Sequence, residues 1–146
     1  MRYSLVFILQ LFLLNTALAA DWVRMEIPST EDVYFYDRSK LVVNGNEVTY
    51  WKKVQFMPAR KVKNFVASSA LMRERINCRE HTLRLLSFLY HDAQGAQLEY
   101  VADAEKADAP IIPDTIGDQF EHVLCKLARE TGPFVPTPPT ITPNVL

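Results

Sequence analysis

The chain has 146 residues, 49% of them hydrophobic and 23% charged, with a net formal charge of −1. A nearly neutral chain excludes a protein built to track nucleic-acid phosphates, which calls for a strongly basic face. Four glycines in the whole sequence leave no glycine-rich phosphate loop.

The chain opens with MRYSLVFILQLFLLNTALAA. Arg2, an apolar run from Leu5 to Leu14 broken by Gln10, and the small residues Ala17 and Ala19 describe a secretory signal peptide over residues 1–20. The run is shorter than the roughly 20 apolar residues that a bilayer crossing needs, so an uncleaved anchor is the weaker reading. Cleavage after Ala19 or Ala20 leaves a product starting near Asp21, destined for the periplasm or the cell surface. No cysteine follows the small residues, so the expected product has no lipid attachment and no stable membrane anchor. What remains is about 126 residues, the size of one domain with a single modest core.

Strand signals follow. In DVYFYD, Val33, Tyr34, Phe35 and Tyr36 have high strand propensity. Asn44-Gly45 predicts a hairpin turn between LVV and EVTYWKKVQF. On the second arm Val48, Tyr50, Lys52, Val54 and Phe56 share one face, and Thr49, Trp51, Lys53 and Gln55 share the other. Pro58 with Arg60, Lys61 and Lys63 reads as a loop. The run FVASSALMRERIN then places Ala70, Met72 and Ile76 opposite Leu71, Arg73 and Arg75. TLRLLSFLYH is apolar on both parities, the pattern of a central strand covered on both faces. The turn His91 to Gly95 leads into AQLEYVA, and the short connection makes the last two strands a meander.

The period then changes. Ile116, Phe120, Val123, Leu124 and Leu127 form one stripe of an α-helix. Thr115 and Asp118 resemble a capping box, and Gly132 follows the basic end as a stop. From Thr131 onward, five of the nine prolines fall in the last sixteen residues, which predicts a solvated, polyproline-like, disordered tail over 131–146. The fold expected for 21–130 is α+β: an antiparallel sheet of five to six strands with one C-terminal amphipathic helix packed on it.

The only cysteines are Cys78 and Cys125. Their separation rules out a CxxC redox or zinc-ribbon arrangement, and in an exported chain the simplest outcome is that they pair. Two separate thiols are the alternative. Cys125 falls about 140° from Phe120 on a helical wheel, so pairing requires the helix end to lean towards Cys78. His81, His91 and His122 lie in no local catalytic motif. His91 and Asp92 are too few for a metal site. These residues point to no enzyme, no metal and no cofactor.

The stretches DWVRM, VYFYDRSKLVVNGNEVTYWKKVQF, INCREHTLRLLSF and IIPDTIGDQFEHVLCKL occur in the order typical of bacterial surface-adhesin protein E-like domains, which the chain resembles from Asp21 to Leu127. The shared features are an early tryptophan, a strand ending in Tyr36, Asp37 and Ser39, a cysteine before an arginine- and leucine-rich strand, and a proline-led helix with a second cysteine. The resemblance implies a six-stranded antiparallel sheet with a disulfide-held helix, in the cell envelope. It also implies adhesion to host matrix or plasma proteins through a basic stretch matching Arg60, Lys61, Lys63, Arg73, Arg75 and Arg79. The missing lipid-anchor cysteine departs from that pattern and makes a soluble periplasmic role the counterpart of adhesion.

Two functions follow as expectations. The first is a noncatalytic envelope interaction protein with a protein partner and no nucleic acid. The second is a periplasmic module holding a small ligand between helix and sheet near Tyr50 and Trp51. The two-sided apolar strand also permits a homodimer.

Overall fold

The computed structural model describes residues 20–131. The leader, apart from Ala20, and the proline-rich tail, apart from Thr131, lie outside the described residues. In chain order the elements are β1 (Trp22–Met25), β2 (Val33–Asp37), a 3-10 turn (Arg38–Lys40), β3 (Val42–Asn44), β4 (Glu47–Val62), β5 (Phe65–Asn77), β6 (Thr82–His91), β7 (Gln97–Ala102), β8 (Ala109–Pro110) and α1 (Ile116–Glu130). All strand pairs are antiparallel, in the order β1-β2-β4-β5-β6-β7, with β3 also on β4 and β8 also on β6. The α+β architecture is as expected, but with eight strands. The two additional strands, β1 and β8, have four and two residues, too short for a periodic signal in sequence.

β4 and β5 are the spine. Val48, Tyr50 and Val54 on β4 and Ala70 and Ile76 on β5 are buried on one face, as their alternation predicts. The hairpin from β3 into β4 turns on Gly45-Asn46, one residue later than expected, with Asn44 pairing Glu47 and Gly45 at φ 59°. Only a residue free of Cβ crowding takes that backbone cheaply.

Two expectations need correction. Residues 58–63 are largely strand rather than loop: β4 continues to Val62, and its register on β5 shifts between Gln55 and Arg60. Pro58 falls inside that irregularity, where a missing N–H costs no ladder bond. β6, in turn, is half-buried along nearly its whole length rather than covered on both faces. Its two apolar parities arise from a bulge. Arg73 pairs Ser87 but Glu74 pairs Leu85, which leaves Leu86 as the extra residue. Leu83 and Leu85 before the bulge, and Phe88 and Tyr90 after it, therefore share the helix-side face.

α1 packs across that face. Phe120 and Leu124 are fully buried, with Phe120 stacked on Tyr50 at 5.7 Å and edge-on to Tyr34 at 6.3 Å. The Thr115 hydroxyl accepts the Asp118 N–H at the N-terminus, while Asp118 Oδ2 accepts the Asp114 N–H, so the return bond of the box lands one residue early. The buried arc is Phe120, Glu121, Leu124 and Cys125, rotated from the apolar stripe towards the cysteine. A disulfide joins Cys78 to Cys125 with Cα atoms 5.7 Å apart, which supplies the lean that the wheel angle demands. Closing this loop restricts the unfolded chain by about 4 kcal/mol in the chain-entropy model.

Candidate functional site: two faces of one sheet

Beneath α1 lies a polar network in an otherwise apolar layer. Tyr50 and Glu74 are register partners on β4 and β5. The tyrosine hydroxyl donates to Glu74 Oε2 at 2.5 Å, and Lys52 Nζ donates to Glu74 Oε1. Glu74 is 3% exposed, so its charge requires the lysine and the hydroxyl as compensation. Lys52 also sits 5.4 Å from the Phe120 ring centroid, which ties the network to the helix. Burial first, and then the Glu74 charge and hydrogen bond, hold the Tyr50 hydroxyl well above the usual phenol range. Glu74 was not singled out by motif, although its parity with Met72 and Ile76 would place it on the core face.

Tyr50 is sealed under Phe120 while Trp51 points to the opposite side of the sheet. A small-ligand site shared by these two residues between helix and sheet is therefore not formed.

The six basic residues do not gather into one patch. Arg60 pairs with the nearly inaccessible Asp32 at 2.5 Å. The same carboxylate accepts the Met57 N–H at 2.9 Å and the Tyr34 hydroxyl at 3.4 Å. Asp32 thereby organises the irregular segment of β4 and the base of the β4–β5 hairpin. Lys63 at the hairpin tip bonds Glu99 at 2.6 Å. Arg75 pairs with Asp108 at 3.1 Å and Glu47 at 3.6 Å, and Arg79 lies 3.7 Å from Glu80 in the turn beside the disulfide. Among the described residues, Lys61 and Arg73 make no ion pair. Lys63 and Arg79 flank opposite ends of β5, whose thirteen residues extend roughly 40 Å.

The histidines occupy margins. His81 is largely exposed and its Nδ1 lies 2.6 Å from Glu121 Oε1, fastening the turn after β5 to α1 next to the disulfide. Asp92, beside His91, accepts the N–H groups of Gln94 and Ala96 and is committed to its turn. Among the described residues no group of three or more metal-ligating side chains converges, and no helix is long and apolar enough to cross a membrane.

The face away from α1 has a different character. Register aligns Phe35, Lys53, Leu71, Leu89 and Tyr100 across β2, β4, β5, β6 and β7. Lys53 Nζ sits over Phe35 at 4.6 Å and over Trp22 at 4.7 Å. A hollow of about 220 Å³ lies between Trp22, Trp51 and Leu71. Next to it, a basin of about 410 Å³ runs from Thr49 and Arg73 past Ser87 to Tyr100 and Ala102. The row Arg73, Ser87 and Ala102 explains the basin: small side chains form its floor, with larger ones standing around it.

The chain is thus an antiparallel sheet covered on one face by a disulfide-bridged helix, with an aromatic and cationic opposite face. The profile of the surface-adhesin protein E family matches residues 22–126, and the chain belongs to that family. Among solved structures it is similar to crystal form II of Haemophilus influenzae protein E, with 16% identity and a TM-score of 0.54, over 71% of this chain and 87% of that one. The selenomethionine form of the same protein gives 17% identity and a TM-score of 0.53, over 74% and 92%. At that identity the likeness establishes the shared fold. No curated protein sequence matches.

Proposed function

We propose that this protein is an exported, noncatalytic component of a bacterial cell envelope that adheres to a protein partner, in the manner of surface adhesins that contact host matrix or plasma proteins. Family membership over 22–126 supports the adhesin class. The observation that carries the reading is the unequal covering of the sheet. One face is closed by α1, and the other leaves Tyr100 62% and Val42 57% exposed beside half-buried Trp22, Trp51 and Leu71. Tryptophan, tyrosine and arginine together on an open face are the composition of a contact surface.

The test has two arms. Protease shaving of intact cells should remove the protein if it stands on the surface, and periplasmic recovery alone would leave adhesion without an opportunity. Purified protein should bind immobilised extracellular-matrix proteins saturably, with affinity falling as salt rises. Absence of such binding would remove the adhesin reading.

A further inference from the structure

We propose that the helix-free face is a docking surface for an acidic segment of a protein partner, seated with a carboxylate on Arg73 and apolar side chains against Trp51 and Tyr100. This deepens the adhesin reading above and rests on it for the partner being a protein.

Charge bookkeeping on this face selects the partner. Of the six basic residues named from sequence, four are matched by carboxylates of this chain, and Arg73 is exposed and unmatched among the described residues. Lys53, in the same face, lies over two aromatic rings and forms no ion pair among the described residues. Among the described residues no acid nearby lies within ion-pair distance of Arg73. Glu47 lies 3.6 Å from Arg75. Asp37 accepts from the Asp21 and Ser39 N–H groups and the Ser39 hydroxyl. Asp103 follows Ala102 and lines the same basin without pairing with Arg73. A guanidinium beside aromatic surface, with no carboxylate of the described residues within ion-pair distance, has its fork free for a carboxylate that arrives from outside.

Shape fits the same occupant. Trp51, which lines the hollow, pairs across β4 and β5 with Arg73, which lines the basin. From Trp51 on β4 to Tyr100 on β7 the face spans three strand spacings, about 14 Å, the reach of about four extended residues. The rigid sheet keeps the anchors in place, so little ordering cost falls on this side of the contact. A second copy docked through the same face would bring its own Arg73 and Lys53 into the interface, which favours an acidic partner over self-pairing.

The probe is a random glutamate–tyrosine copolymer titrated into the full exported protein, with polyglutamate and polylysine as controls, followed by amide and indole chemical shifts. The copolymer should bind more tightly than polyglutamate, polylysine should not bind, and shifts should centre on Trp51, Arg73, Ser87 and Tyr100. Arg73→Glu should weaken binding by about tenfold or more, and Tyr100→Ser, at an exposed position, by several-fold. Lys61→Glu on the hairpin should change it by less than about twofold.

Shifts on the hairpin or α1, equal binding of polylysine, or an Arg73→Glu variant that binds normally would overturn the proposal. So would shifts on this face that grow with protein concentration alone, which would mark a second copy as the occupant. Copolymer binding at this face without binding to matrix proteins would leave the surface standing and remove the adhesin reading. Matrix binding unaffected by Arg73→Glu would do the reverse.

Discussion

Tyr50 donates its hydroxyl hydrogen to Glu74 Oε2 at 2.5 Å beneath the stacked ring of Phe120, so the most enclosed part of the core is held by a charge-assisted bond. Glu74→Ala removes the acceptor shared by Tyr50 and Lys52. Breaking one side of a buried pair costs about 3 kcal/mol or more, and urea unfolding should show a loss of that size. Tyr50→Phe should cost less, about 1 to 3 kcal/mol, because it leaves one carboxylate oxygen short of a donor.

The same bond sets an alkaline limit. Burial and the Glu74 charge raise the Tyr50 pKa well above its ordinary value, and burial with the Asp32 charge raises that of Tyr34 despite Arg60 nearby. An unfolded tyrosine loses its proton near pH 10, while these two keep theirs in the fold. Their contribution is therefore full below about pH 10 and falls as pH rises beyond it. Tyrosinate absorbance should show Tyr34 and Tyr50 ionising late or together with unfolding. Full ionisation of all tyrosines near pH 10 with unchanged stability would contradict this.

Loss of the Cys78–Cys125 bridge should cost about 4 kcal/mol. Cys125→Ser and Cys78→Ser should each lower the unfolding midpoint by a similar amount, and the double variant should add little to either, since all three break one bond. Reductant should destabilise the unaltered protein and leave the variants where they are.

Asp32→Ala should loosen the β4–β5 hairpin selectively. It deletes the acceptor of Arg60, the Met57 N–H and the Tyr34 hydroxyl together. Amide exchange should accelerate from Met57 to Phe65, while the amides of α1 keep protection closer to that of the unaltered chain.

How far the sequence was readable follows from the range of each signal. The α1 stripe, the β3–β4 turn and the alternation of β4 are local patterns, and each formed within a residue or so of its predicted place. β6 was misread because its bulge at Leu86 is fixed by pairing with β5, and a parity flip looks identical to two-sided burial in one strand alone. The pairing of the basic stretch was illegible for a related reason. Arg60, Lys63 and Arg75 are matched by Asp32, Glu99 and Asp108, which are 28, 36 and 33 residues away. Only the assembled sheet separates matched cations from Arg73.

Salt-dependent binding of the protein to immobilised extracellular-matrix proteins, compared between the unaltered chain and Arg73→Glu at equal thermal stability, tests the central claim most directly. Saturable binding that weakens with salt and drops by about tenfold or more in the variant is the predicted result. Equal binding by both chains would show that the helix-free face is not where this protein makes its contact.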